Sequence, residues 1–210
     1  MGYNYEHWAK RIQYRTDLSG FVYHLTKPKS DSPEDIVTAV TERLIKIIQE
    51  RKLIGSSTQS GFITGNRKAV CFQDAPISGI VQNVVHEGAF RRELGGKIRY
   101  VGLGLAFPKS YIFQQGGRPV MYEKKETAKK ILPKDEWWRI VDFNLMDREN
   151  IVDWTHEREW RLPADEFHFD LSRAVILLPN SDIHKLFLRK MADEDLQTIN
   201  GIIQTSPLVF

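Results

Sequence analysis

Apolar residues along the chain follow two spacings, one typical of helices and one typical of strands. From residue 36, a helical spacing gives one apolar face to a helix that ends near residue 51, formed by Ile36, Val40, Leu44, Ile47 and Ile48. Ser32 as N-cap and Pro33 at the first helical position predict where this helix starts, and two acidic residues follow in its first turn. Similar spacings predict helices over residues 5–15, 78–94, 126–132 and 182–191, the last with an alternative of two short helices that reach residue 203.

Runs rich in β-branched and aromatic residues, each closed by proline, glycine or a polar turn, predict the strands. They cover residues 21–26, 69–72, 98–107, 120–122, 153–162 and 173–178. Strands outnumber helices and do not alternate with them in regular βαβ units. The pattern therefore predicts an α+β fold with a curved, mainly antiparallel sheet and flanking helices. The 210 residues fit one domain, residues 1–210.

Composition narrows the class of protein. Cys71 is the single cysteine, which excludes an internal disulfide framework and a multi-cysteine metal site. The histidines are scattered without zinc-ligand spacing, so no metal site is expected. The first 18 residues are polar and no run approaches the ~20 apolar residues of a membrane span, so we expect a soluble protein of the cytoplasm. The net charge of +3 neither demands nor excludes a nucleic-acid partner.

The segment 153–161 concentrates two glutamates, two arginines, a histidine and two tryptophans. If this segment is extended, side chains alternate between two faces, and Glu157, Glu159 and Arg161 share one of them. Carboxylates two residues apart on one face repel each other and are costly to bury. This predicts a functional site, and the alternative is a solvated edge strand with Arg–Glu pairs.

Four patches in this order resemble the ADP-ribosyltransferase fold family. Residues 23–26 (Tyr-His-Leu-Thr), with the helix and the Lys-Leu-Ile that follow, are similar to the opening of DarT-like enzymes, which modify nucleic acids. They are also similar to bacterial proteins found near abortive-infection systems, as are residues 70–76 (Val-Cys-Phe-Gln-Asp-Ala-Pro). Residues 117–122 and 157–161 complete the resemblance, which implies a split, mainly antiparallel sheet.

The resemblance also implies a set of site residues on successive core strands. It places His24 at the first position and Glu159 at the last, with Glu157 two residues before it. Tyr122 stands at the second position, for which Ser110-Tyr111 is another candidate. This chain has His at the first position but the Glu-x-Glu spacing of the arginine-modifying branch, which normally has Arg there. The resemblance therefore does not determine which acceptor is modified.

The reaction implied by this resemblance breaks the nicotinamide–ribose bond of NAD through an oxocarbenium-like sugar. Glu159 would accept a hydrogen bond from the ribose 2′-hydroxyl and oppose the growing positive charge. Glu157 would orient or deprotonate the acceptor as a general base.

Further residues would hold the dinucleotide. His24 and Thr26 share one strand face and can bond the adenosine ribose, and Tyr122 can stack on nicotinamide. An arginine would pair with the diphosphate bidentately, and there are three candidates: Arg118, Arg158 and Arg161.

The sequence thus predicts an NAD-dependent ADP-ribosyltransferase that modifies a macromolecule, as a toxin or phage-defence effector with an antitoxin or immunity partner. Nucleic acid, DNA or RNA, is the preferred acceptor, and protein arginine is the alternative. NAD hydrolysis and non-catalytic binding of nucleotide or partner are the competing functions.

Overall fold

A computed structural model describes residues 2–28, 36–60, 62–93, 95–96 and 98–208 of the chain. The predicted start of the second helix, at residues 32–35, lies outside the described residues.

An open sheet of seven strands forms the centre of the described structure. In spatial order its strands are β11 (Gly201–Gln204), β10 (Val175–Leu178), β4 (Gly104–Pro108), β1 (Phe21–Leu25), β3 (Val70–Gln73), β8 (Glu159–Leu162) and β5 (Arg118–Pro119). Neighbouring strands run antiparallel except β10 and β11, which run parallel. Two small two-stranded sheets pair β2 (Lys52–Ile54) with β9 (Glu166–His168) and β6 (Met121–Tyr122) with β7 (Ile140–Val141).

Helices flank this sheet, so the predicted α+β class with a mainly antiparallel sheet is confirmed. They are α1 (Tyr5–Gln13), α2 (Ile36–Glu50), α3 (Ile77–Ala89), α4 (Lys109–Gln114), α5 (Lys125–Ile131), α6 (Ser181–Lys190) and α7 (Asp193–Thr198). Within the described ranges, none of these helices has the length and apolar content needed to cross a bilayer.

The two faces of the sheet pack against different helices, because side chains alternate along each strand. One face forms the larger core with α2 and α6, and its buried members include Val22, Phe72, Phe107, Ile176, Leu44, Ile48 and Phe187. The other face packs under α3, and its buried members include Tyr23, Leu25, Ala106, Leu177 and Ile80. Consecutive residues of β1 therefore belong to different cores.

Two predicted elements differ from the structure in type or length. The strand expected from residue 98 begins only at Gly104, since the N–H of Leu103 donates to the carbonyl of Val101 (2.5 Å) and closes a tight turn at Gly102. Residues 201–203, which one of the two alternatives placed at the end of a short helix, belong to β11 (Gly201–Gln204). There Ile202 and Ile203 extend the sheet alongside β10, an edge that local spacing does not reveal.

Candidate functional site

The charged segment is not one continuous strand, which corrects the prediction for residues 153–162. Residues Thr155–Glu157 form a short 3-10 helix, and Arg158 takes a left-handed conformation with φ 48° before β8 begins at Glu159. The backbone N–H of Asp74 bonds the carbonyls of both Glu157 and Arg158, which fixes this turn against the end of β3. Glu157 therefore approaches the site from a turn rather than from the strand.

Glu159 and Arg161 do share one face of β8, and they form a buried ion pair. Nε and Nη2 of Arg161 donate to the two carboxylate oxygens of Glu159 at 2.8 and 3.2 Å. The remaining N–H groups of Arg161 donate to three backbone carbonyls, those of Phe62 (3.1 Å), Trp138 (2.8 Å) and Ile140 (3.0 Å). Arg161 is 3% exposed and Glu159 is 7% exposed.

The geometry of Arg161 changes the role predicted for it. A guanidinium carries five N–H donors, and in this structure all five meet a protein acceptor. None remains to bind a diphosphate. Arg161 positions the Glu159 carboxylate instead, by joining β8 to β7 and to the loop that contains Phe62.

Glu157 lies beside this pair in a different environment. Its Oε1 accepts a short hydrogen bond from the hydroxyl of Tyr100, and Nε2 of His156 lies 3.5 Å from the same hydroxyl. Burial raises the pKa of the Glu157 carboxyl, and the negative charge of Glu159 raises it further. Tyr100 thus connects the partly buried carboxyl of Glu157 to His156, which is exposed.

Tyr122 joins the same cluster through the backbone. Its hydroxyl accepts a hydrogen bond from the N–H of Glu159 at 2.6 Å, and burial raises the pKa of the phenol. The structure therefore brings Tyr122, Glu157, Glu159 and Arg161 together.

His24 lies on the opposite face of the sheet from Glu159. In register, Tyr23 is opposite Gln73 and Gln73 is opposite Glu159, so these three side chains share a face. The ring of His24 packs against Phe72 instead, with ring centroids 5.9 Å apart. His24 and Glu159, which the resemblance places in one site, thus lie on different faces of the sheet. Tyr23 and Gln73 occupy that row, and the two-residue period along a strand is the signal that distinguishes Tyr23 from His24.

The sheet opens between β1 and β3 at this point. All five residues of β1 pair with β4, whereas in the described chain a single pair, Tyr23 with Gln73, joins β1 to β3. Beyond that pair, Nδ1 of His24 donates to the carbonyl of Cys71 at 2.9 Å and replaces a backbone partner. His24 therefore fills a gap between two strands of the central sheet.

Polar groups without a partner lie on both sides of this gap. Thr26 is 2% exposed and Gln73 is 7% exposed. Within the described residues, Oγ1 of Thr26 and Oε1 of Gln73 are buried and have no hydrogen-bond partner. A buried polar atom without a partner costs free energy, so each is suited to receive a group from a ligand.

Lys27, which sequence patterns did not single out, stands near the same gap. Its charge acts on three groups of the site: His24, Cys71 and Glu157. Lys27 is exposed, and its ammonium lies 6.0 Å from the ring centroid of Phe62, which is 69% exposed. A flexible cation and an aromatic ring therefore flank the approach to the cluster.

Arg118, also predicted to hold the diphosphate, is engaged elsewhere. Its Nη1 donates to the carbonyls of Phe113 (2.9 Å) and Gly117 (2.7 Å), and the guanidinium lies 3.9 Å from the centroid of the Phe113 ring. These contacts hold Arg118 against α4, outside the carboxylate cluster.

An apolar cavity of 240 Å³ lies elsewhere, between α3 and the sheet. Its lining includes Leu25, Ile80, Val84 and Leu177 and contains no ionisable side chain, so it offers no group for the predicted chemistry. No group of three or more His, Cys, Asp or Glu side chains that could hold a metal ion is found where the chain is described.

Comparisons with protein-family models, curated proteins and solved structures give no match to this chain.

His24 should make stability depend on pH below neutrality. Burial lowers the pKa of its imidazole from 6.5 to about 4. Because the folded pKa lies below the unfolded one, the stabilisation is complete above pH 6.5 and is lost as pH falls toward 4. Between pH 6.5 and pH 4, we expect the free energy of unfolding of the wild type to fall by about 2–3 kcal/mol more than that of His24→Phe. Urea denaturation at a series of pH values measures both. His7→Phe, at an exposed histidine, is the control, and equal slopes for His24→Phe and wild type would contradict the expectation.

Glu157 should make stability depend on pH in the opposite direction to His24. Because burial raises its folded pKa above the ordinary value of 4.5, its contribution to stability is complete below pH 4.5 and is lost as pH rises. Glu157→Gln keeps an oxygen for Tyr100 and removes the buried charge. We expect the stability of this variant relative to wild type to increase from pH 4.5 to 7, measured by thermal unfolding. A difference that is constant with pH would show that burial does not penalise this carboxylate.

Proposed function

We propose that the chain is an NAD-dependent ADP-ribosyltransferase that modifies a macromolecule, and that its open sheet is of the ADP-ribosyltransferase type. One observation carries the proposal: two neighbouring carboxyl groups are held in different environments at the start of β8. Glu159 is paired with a buried guanidinium, whereas Glu157 bonds a phenol and has a raised pKa. Carboxyl groups separated in this way serve distinct roles in reactions at a sugar carbon.

In this mechanism Glu159 acts on the nicotinamide ribose. The bond between C1′ of the ribose and the pyridinium nitrogen breaks, and its electron pair leaves with nicotinamide, which becomes neutral. The fixed carboxylate of Glu159 opposes the positive charge that develops on the sugar. Arg161 contributes by positioning, because it holds both carboxylate oxygens in place.

Glu157 acts on the acceptor. The acceptor's nucleophilic atom forms the new bond to C1′ and loses its proton to Glu157. A carboxyl group with a raised pKa is better suited to this task near neutral pH than an ordinary one. Tyr100 and His156 then offer a route for the proton from the buried carboxyl to the surface.

The polar groups around the gap fit a dinucleotide. The unpartnered Oε1 of Gln73 lies in register with Glu159 and can accept a hydrogen bond from a ribose hydroxyl or a carboxamide. Lys27 takes the place of Arg118 and Arg161 as a cation available to the diphosphate. His24 fills the gap and Thr26 follows β1, and we place the adenosine beside these two residues.

The proposal is tested with NAD that carries a radioactive adenylate phosphate. The purified protein is incubated with this NAD and with single-stranded DNA, RNA or a protein mixture, and nicotinamide release and acceptor labelling are measured. We expect label on nucleic acid, and none with the matched variant Glu157→Gln/Glu159→Gln. Such an activity would arrest growth on expression, as expected of a toxin or phage-defence effector with a neutralising partner.

The same experiment distinguishes the competing functions. Nicotinamide release with free ADP-ribose and no labelled acceptor would indicate NAD hydrolysis. Binding of NAD by calorimetry without nicotinamide release would indicate a non-catalytic protein, and would contradict the proposal.

A further inference from the structure

A groove with aromatic walls lies between α1, α4 and β8, on the sheet face opposite to Glu159. We call it the aromatic groove; it is lined by Trp8, Lys109, Ser110, Phe113, Gln114 and Trp160, has a volume of about 290 Å³ and is open to solvent. Two indoles and a phenyl ring in one groove offer flat apolar surfaces on which nucleic-acid bases stack.

The walls of the aromatic groove are held in place by their own contacts. The rings of Phe113 and Trp160 meet edge to face with centroids 6.5 Å apart, and the indole N–H of Trp160 donates to Asp74 at 3.1 Å. On the other side, Trp8 packs against Tyr5 with centroids 5.7 Å apart. A preformed groove loses little conformational freedom when a ligand enters.

The helix that carries Trp8 lies at the edge of the fold. None of the residues of α1 is buried, so this helix contributes little to the core. Trp8 is one of its partly covered residues, and it faces the groove. The helix therefore supplies one wall of the groove through Trp8, while Ile12 packs near Gly20, just before β1.

The charges around the aromatic groove match a phosphate backbone. The ammonium of Lys109 lies 6.0 Å from the Trp160 ring and is fixed by Asp74 at 2.6 Å. The guanidinium of Arg118 stacks on Phe113, and Arg11 follows Trp8 by one helical turn. The lining itself has no carboxylate, although Asp74 bonds two of its members, Lys109 and Trp160. Ser110 and Gln114 supply hydrogen-bonding groups for base edges.

We propose that the aromatic groove binds a base of single-stranded nucleic acid, with the phosphates passing Lys109 and Arg118. The binding itself is independent of catalysis. Only the further step, that the bound strand is the acceptor of ADP-ribose, rests on the proposed function. A proline-rich peptide also suits aromatic grooves, but three cations near the groove, Lys109, Arg118 and Arg11, outnumber the carboxylate of Asp74 and favour a polyanion.

The test measures anisotropy of a fluorescein-labelled 12-nucleotide poly-dT or poly-U strand, without NAD. We expect Trp8→Ala to weaken binding about 5- to 150-fold, the loss of one stacked base, and binding to weaken as salt rises. Tyr14→Ala is the matched control, since Tyr14 follows α1, is 88% exposed and lies outside the groove lining. Phe113→Ala gives a second, independent wall substitution should Trp8→Ala alter the fold.

The outcomes separate this inference from the proposed function. Equal affinities of wild type, Trp8→Ala and Phe113→Ala would overturn the groove assignment, as would binding of a proline-rich peptide in place of the oligonucleotide. If neither the wild type nor any variant releases nicotinamide, the proposed function is contradicted, but the measured binding of the oligonucleotide is unaffected. If Trp8→Ala still releases nicotinamide without nucleic acid but labels the strand less, both proposals are supported.

Discussion

Glu159→Gln is expected to lower the rate of nicotinamide release from NAD about 10²–10³-fold. The amide is nearly the same size as the carboxylate, but it brings no negative charge to the sugar when the bond to nicotinamide breaks. Fixed electrostatic groups of this kind typically contribute that much to a rate. Chromatographic measurement of nicotinamide under saturating NAD gives the comparison directly.

Two further variants separate chemistry from folding. Glu159→Asp keeps the charge and withdraws it by one methylene, so we expect an intermediate rate and a smaller change in stability. Glu166→Gln, at an exposed glutamate of β9, should retain the wild-type rate. If Glu159→Gln folds and releases nicotinamide as fast as wild type, Glu159 has no catalytic role.

Arg161→Met is expected to lower the free energy of unfolding by about 3–5 kcal/mol, the typical cost of breaking a buried ion pair. The substitution leaves the Glu159 carboxylate buried without its partner. It also removes the donors that satisfy three backbone carbonyls. Since small domains are stable by only about 5–15 kcal/mol, this single change should be prominent in a urea denaturation curve.

Arg158→Met is the matched control, because Arg158 belongs to the same charged segment and its exposed side chain makes a single hydrogen bond in the described structure, to the carbonyl of Asp17. We expect its effect to stay within about 0.5 kcal/mol. A double-mutant cycle over Glu159→Gln and Arg161→Met then measures the coupling of the pair. If the denaturation curves of Arg161→Met and Arg158→Met coincide, the five hydrogen bonds of Arg161 do not contribute to stability as expected.

Local patterns were sufficient to predict the elements that bury a regular face. The helical spacing from residue 36 predicted α2, and the apolar run closed by a turn predicted β3, because each pattern reports burial directly. The start of β8 was harder to predict. Alternation along a strand predicted the shared face of Glu159 and Arg161, but the turn that displaces Glu157 depends on bonds to Asp74, which is distant in sequence.

The arrangement of the candidate site depended on contacts that side-chain patterns do not encode. Which of Tyr23 and His24 shares a face with Glu159 is set by strand register, and a shift of one residue reverses it. The role of Arg161 could not be predicted because most of its partners are main-chain carbonyls, which every residue type possesses. Lys27 carried no motif, and only its place beside the gap distinguishes it from other exposed lysines.

The use of main-chain carbonyls by Arg161 has a consequence for how this molecule can diversify. The side chain of Phe62 projects into solvent while its carbonyl anchors the guanidinium, so natural variation or engineering can replace that ring without releasing the anchor. Successive substitutions of Phe62 can thus change the surface near the proposed site while Glu159 keeps its orientation.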